Sequence, residues 1–175
     1  KGRQQGISTY LEGRAYWKTI HRESYNVLIM THENKATDNL FAMSKRYHEF
    51  CPDDLTPMLG ASNGKMMVFP DLDSQYLVAT AGAGGTGRSQ TAHYFHASEV
   101  AFWSDASEHA SGILQAIGLE DDTEIYMEST ADGIANYFHE TWQGAEPPRE
   151  EVSADGNGYI QVFIPWFWET GYRID

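Results

Sequence analysis

The chain has 175 residues, 41% of them hydrophobic, which suffices for one domain with a real core and is short for two. Twelve Lys and Arg face 25 Asp and Glu, and the resulting formal charge of −13 excludes a broad face for a polyanion such as duplex nucleic acid. The single cysteine, Cys51, excludes an internal disulfide, and no apolar run approaches the roughly 20 residues of a membrane helix, so a soluble intracellular protein with no membrane partner is expected.

The first nine residues, Lys1-Gly2-Arg3-Gln4-Gln5-Gly6-Ile7-Ser8-Thr9, read as a glycine loop running into a helix over Ser8–Arg22, where Leu11, Ala15 and Ile20 recur at near-helical spacing. A loop of this kind is ordinarily fixed by a strand in front of it. Either the chain is a piece of a larger protein or the likeness to a nucleotide site is accidental. The apolar run Tyr25–Met30 predicts a buried strand ending in Thr31-His32, and Ala36, Leu40, Met43 and Tyr47 predict a helix over Glu33–Phe50, stopped by Pro52 and Pro57. Lys65–Phe69 and Tyr76–Thr80 predict an antiparallel pair around an acidic turn at Asp71 and Asp73. Ala81–Ser89 is too rich in glycine for a helix. Strands are then expected at Thr91–His96, Glu124–Glu128 and Tyr159–Trp166, with helices at Glu108–Ile117 and Gly133–Trp142 and an exposed acidic loop over Gly144–Gly158. Trp166, Phe167 and Trp168 either end a core strand or meet a neighbouring domain. Alternation of strand and helix predicts a parallel sheet with helices on both faces.

Ligands of such sheets bind at the carboxyl ends of the strands. Four special segments fall there: the Gly6 loop, Thr31-His32, Ser98-Glu99 and Ser129-Thr130-Ala131. In a phosphate loop G-x-x-x-x-G-K-[ST], main-chain amides cradle phosphate, a lysine meets the outer phosphates and a hydroxyl meets magnesium. Aligned on Gly6 and Ser8, Lys1 stands for the first glycine and Ile7 for the lysine, so Lys1 or Arg3 must restore the charge. The other reading is a plain glycine turn capping a basic helix. Glu99 stands where a hydrolase carries Asp-Glu and can polarise the attacking water, or it is an exposed strand-end acid. Ser98, in the aspartate's place, is a poor ligand for a hard cation. Ser129 and Thr130 can bond the same water or Glu99, or cap the following helix. Arg88, in the glycine-rich loop, is a candidate arginine finger or a solvated charge. His93 and His96, three apart in a strand, point to opposite faces, which argues against a shared metal.

Lys1–Thr9, Thr31-His32, Gly87-Arg88-Ser89, His96-Ala97-Ser98-Glu99-Val100-Ala101-Phe102-Trp103 and Glu128-Ser129-Thr130-Ala131-Asp132-Gly133, with Asn136 and Phe138, occur in an order that resembles the large terminase subunit of tailed phages and prophages. The resemblance extends over nearly the whole chain. It implies an α/β fold: a RecA-like P-loop NTPase three-layer sandwich with a mostly parallel sheet, here truncated at its N-terminus and lacking the nuclease domain that follows in the intact subunit. It implies ATP and Mg2+ as cofactors and translocation of double-stranded DNA into a procapsid. The implied partners are the portal protein, the small terminase subunit and other copies of the chain in a ring, in the host cell cytoplasm. Lys1, Arg3, Gln4, Gln5, Gly6, Ile7, Ser8 and Thr9 would form the nucleotide loop, Glu99 and Arg88 the catalytic pair, Ser8 and Ser98 the metal side, and Ser129 and Thr130 the coupling element. Ile7 and Ser98 depart from the common pattern. The competing readings are another nucleic-acid-dependent nucleotide hydrolase and a non-catalytic fragment or remnant, and the isolated chain is expected to hydrolyse ATP negligibly.

Overall fold

Gly6 starts the first helix from a left-handed backbone (φ 73°), a geometry that costs glycine nothing, and helix α1 runs Ile7–His21. The chain is described from a computed structural model over residues 1–2, 4–60, 62–82, 91–118, 120–148 and 156–172. The buried face of α1 carries Leu11, Glu12, Ala15, Tyr16, Thr19 and Ile20, spaced as one helical stripe, and Lys18 and His21 sit in its last turn, where they favour the helix dipole.

Strand β1 (Asn26–Thr31) follows and is buried on both sides, as its unbroken apolar run requires. Helix α2 (Asn34–Glu49) leads through the Pro52–Pro57 loop to β2 (Ser62–Asn63), β3 (Met66–Phe69) and β4 (Ser74–Thr80). Beyond them lie β5 (Tyr94–Ser98), helix α3 (Ala106–Leu114), β6 (Glu124–Glu128) and helix α4 (Tyr137–Gly144). The six-stranded sheet has the order β2-β3-β4-β1-β5-β6. Strands β4, β1, β5 and β6 run parallel, while β2 and β3 are antiparallel additions at one edge. Val27 and Ile29 of β1 pack with Tyr16, Ile20, Leu40 and Phe41 of α1 and α2 on one face. Leu28 and Met30 pack with Trp103, Ala106 and Ile113 on the other, and Tyr137 and Phe138 of α4 border that cluster. The period of two along β1 thus divides the core between two helical layers. This is the expected three-layer, mostly parallel sandwich. No helix among the described residues is long and apolar enough to cross a membrane.

The sequence expectations hold closely for α1, β1, α2, β6 and the antiparallel pair. Four shift or fail, the first being the helix expected at Glu108–Ile117, which lies at Ala106–Leu114. The strand expected at Thr91–His96 lies at Tyr94–Ser98, because Ala92 instead bridges Ile117 and the regular ladder begins only at Tyr94. The helix expected from Gly133 starts after Asn136, whose side chain accepts from the His139 amide at 2.9 Å as its N-cap. The strand expected at Tyr159–Trp166 is absent: only Ile160 makes a bridge, to Glu146, and Trp166–Trp168 forms a short 3-10 turn with exposed rings. Pro165 has no amide to give a ladder, and the carbonyls of Ile164 and Pro165 accept instead from the Gly2 amide (2.8 Å) and Gln5 Nε2 (2.7 Å). The segment clasps the N-terminal loop rather than the sheet. A side chain on Gly2 would collide with the Trp166 main chain at 2.8 Å.

Candidate functional site

The N-terminal loop and the carboxyl ends of β5 and β6 meet at one edge of the sheet around a cavity of about 420 Å³. Its walls are Lys1, Gly2, Gln4, Gln5, Gly6, Ile7, Ser8, Thr9, His32, Glu99, Phe102 and Thr130. Gln4 and Gly6 both adopt positive φ, which curls the loop around the opening. The first intrahelical bond of α1 runs from the Tyr10 amide to the Gly6 carbonyl (2.8 Å). The amides of Ile7, Ser8 and Thr9 therefore precede the helical ladder at the positive end of the dipole, an arrangement suited to an anion.

Among the described residues, Lys1 is the cation of the cavity wall. Its ammonium forms an ion pair with Glu128, lies 3.4 Å from Glu99 Oε1 and donates to Ser8 Oγ at 3.2 Å. Ser8 in turn donates to Glu128 Oε1 (3.0 Å), and Ser98 donates to the same oxygen (2.8 Å). Register explains the meeting, since Ser98 and Glu128 are paired residues on adjacent parallel strands.

Glu99 holds a left-handed backbone (φ 55°), an uncommon conformation for a non-glycine residue and one that the surrounding structure must enforce. Its Oε2 accepts from the Thr130 amide (3.1 Å), Thr130 Oγ1 (3.2 Å) and Ser129 Oγ (3.3 Å). The helix-cap alternative for Ser129 and Thr130 gives way to this clamp, because the cap of α4 is Asn136.

Behind the cavity a buried polar chain crosses the sheet. His96 is fully buried, with Nδ1 2.7 Å from Glu12 Oε1 and Nε2 3.4 Å from Glu128 Oε1, while Tyr76 donates its hydroxyl to Glu12 Oε2. Burial opposes a charge on His96, but its hydrogen bond to Glu12 and the Glu128 carboxylate beside it outweigh that and raise its pKa above the ordinary value. Burial likewise favours neutral Glu128, yet the neighbouring His96, together with Lys1, holds its carboxyl well below the usual range. His93 plays no part here; it stacks on Tyr25 at 5.3 Å.

The other N-terminal cations are engaged elsewhere. Arg14 makes a two-point contact with Glu124 (2.7 and 2.6 Å), Lys18 pairs with Glu124 at 2.6 Å and Arg22 with Asp122 at 2.6 Å, at the far end of β6. Arg14, Lys18 and Arg22 thus take no part in the cavity wall. Arg3 and Arg88, and most of the glycine-rich segment, lie outside the described residues. Of the residues singled out from sequence, the structure brings together Lys1, Gln4, Gln5, Gly6, Ile7, Ser8, Thr9, Glu99 and Thr130 on the cavity wall, with Ser98 and Ser129 directly beneath. Sequence reasoning passed over Glu128, Glu12 and the place of His96 between them. A charged residue inside the apolar stripe of α1 was the available signal for Glu12.

Among the described residues no group of three or more His, Cys, Asp or Glu is disposed to hold a metal ion by itself. The hydroxyl of Ser8 and the carboxylates of Glu99 and Glu128 around the Lys1 ammonium are nevertheless an oxygen set that suits a hard cation shared with a ligand's phosphates.

No protein-family model and no curated protein matches the sequence. Solved structures do match. The HK97 bacteriophage large terminase superposes with a TM-score of 0.61 at 12% identity, over 74% of this chain and 28% of that one. The Thermus phage P74-26 large terminase ATPase domain superposes with a TM-score of 0.62 at 16% identity, over 91% of this chain and 69% of that one. An arginine-to-alanine variant of the same domain gives 0.60 at 16%, over 87% and 65%. The chain therefore spans a little over a quarter of the HK97 protein and about two thirds of the P74-26 domain. It shares the fold of the large terminase ATPase domains on which it superposes, a mostly parallel sheet between two helical layers.

Proposed function

We propose that this chain is the ATP-hydrolysing motor domain of a phage DNA-packaging terminase, driving double-stranded DNA into the procapsid. The observation that carries the reading is the convergence of the α1 amides, Lys1 and a clamped Glu99 on one cavity. Amides of Ile7, Ser8 and Thr9 with Lys1 hold the β- and γ-phosphates, Lys1 supplying the charge that Ile7 lacks. Gln4, Gln5 and Gly6 shape the loop, and Arg3 adds a second cation. Glu99 orients a water and takes its proton as the oxygen attacks the γ-phosphorus. The bond to the bridging oxygen breaks, and ADP and phosphate leave. Arg88 balances the charge that develops, from its own subunit or a neighbour's. Magnesium, when bound, would neutralise phosphate charge, and Ser8 and Ser98 are the residues that would hold it on this reading.

Ser129 and Thr130 grip the same carboxylate oxygen, so a change in Glu99 on hydrolysis reaches the end of β6 directly. That is the proposed coupling to DNA movement. The net charge of −13 confines DNA contact to a restricted edge. The partners on this reading are the portal protein, the small terminase subunit and further copies in a ring, in the host cytoplasm.

The test is phosphate release by the full-length protein with and without double-stranded DNA. Magnesium-dependent hydrolysis stimulated by duplex is expected. Duplex-independent turnover accelerated by RNA or forked DNA would favour a different nucleic-acid motor, and no turnover under any condition would favour a non-catalytic relative.

A further inference from the structure

Ser98 stands at the end of β5, where a carboxylate is needed beside the phosphate loop, and its neutral hydroxyl is a weak partner for a hard cation. The carboxylate present at this spot comes from the next strand. Glu128 is the register partner of Ser98 and receives hydrogen bonds from Ser98 (2.8 Å) and from the phosphate-loop serine, Ser8 (3.0 Å), on one oxygen. Adjacent strands lie about 4.8 Å apart, a lateral gap that a glutamate, reaching across from its strand, can span over a residue as small as serine. We propose that Glu128 is the protein carboxylate that faces the nucleotide-bound divalent cation, displaced by one strand from the position held by Ser98. This rests on the ATP reading above.

Three features of the structure support it. A cation already occupies the position: the Lys1 ammonium is gathered by Ser8 Oγ, Glu128 and Glu99 Oε1, so the oxygens converge on a positive centre. When phosphates enter, Lys1 has a stronger partner in them, and its place among those oxygens becomes available to the divalent ion that accompanies the nucleotide. Glu128 is also nine-tenths buried, and a buried carboxylate is kept only where charge meets it. His96 and Glu12 behind it answer that need from the core side and fix its orientation, as an outer partner does for a metal ligand. Finally, Glu99 is already held by Ser129 and Thr130 through its other oxygen, which leaves the two glutamates with separate tasks.

The experiment measures Mn2+ as the probe, by its paramagnetic resonance signal, in the full-length protein with a non-hydrolysable ATP analogue, alongside calorimetric affinity for the analogue without metal. Glu128→Gln is expected to reduce Mn2+ affinity about tenfold or more. Metal-free analogue affinity should stay unchanged or tighten, because a carboxylate that repels phosphate is gone. Ser98→Asp combined with Glu128→Gln returns a carboxylate to the site and is expected to recover Mn2+ binding; thermal melting confirms that each variant is folded. Undiminished Mn2+ affinity in folded Glu128→Gln, equal losses with and without metal, or no recovery in the folded double variant overturns the proposal while leaving the ATP reading intact. A wild-type protein that binds the analogue neither with nor without Mn2+ removes both.

Discussion

Thr130 meets the Glu99 carboxylate twice at one oxygen, through its amide at 3.1 Å and its hydroxyl at 3.2 Å. The remaining oxygen, Oε1, is turned toward Lys1 and the cavity. Replacing Glu99 by Gln retains the shape and removes the proposed base. Steady-state hydrolysis should fall by roughly 10²- to 10⁴-fold while the dissociation constant for ATP stays within a few-fold. Equal losses in both would place Glu99 in binding instead.

Thr130→Val deletes the hydroxyl contact and leaves the amide. A hydrogen bond to a charged group is worth about 1.5 kcal/mol or more, so kcat should drop about tenfold with KM little changed. Ser129→Ala, which removes the longer bond at 3.3 Å, should cost less. Measurement of both variants over a range of ATP concentrations separates the two parameters.

His96 couples stability to pH. Its folded pKa is raised to about 9 from an ordinary 6.5, burial opposing the charge and the bond to Glu12 with the adjacent Glu128 carboxylate overcoming it. Because the folded value is the higher, the stabilisation is fully present below about 6.5 and is lost as pH rises through about 9. Urea midpoints for the wild type should fall across that window, and those of His96→Ala should fall less. At neutral pH the substitution should itself cost about 3–5 kcal/mol, since it leaves Glu12 buried without its partner.

At the other end of β6, burial works against the Glu124 charge, but hydrogen bonds from Arg14, Lys18 and Tyr126 hold its carboxyl at about 2. The depressed value means this contribution is present above about 4.5 and lost as pH falls through about 2. Glu124→Gln strands the buried Lys18 and should lower the melting temperature more than Asp122→Asn, whose partner Arg22 is exposed.

Much of this was legible in the sequence where one local signal dominated. Strand β6 is bounded as expected because Ile125-Tyr126-Met127 is flanked by charged residues and turn formers. The loop into α1 and the strand-end segments were legible because glycine, hydroxyl and acid recur at the ends of apolar runs. Tyr159–Trp166 misled because its alternation is that of a strand, while its carbonyls serve Gly2 and Gln5, remote in sequence. Glu128 escaped notice for a related reason. It reads as the last residue of a strand, and only the pairing of β5 with β6 sets it beside Ser98 and under Ser8. Register between strands is a long-range property that no single run of residues carries.

Whether this cavity grips the tail of a triphosphate is decided by a crystal structure of the full-length protein with magnesium and a non-hydrolysable ATP analogue. Phosphate oxygens are expected within hydrogen-bond distance of the Ile7, Ser8 and Thr9 amides and of Lys1 Nζ, with Lys1 withdrawn from Glu128. A nucleotide bound elsewhere, or Lys1 still paired with Glu128 beside phosphates it does not touch, would contradict it.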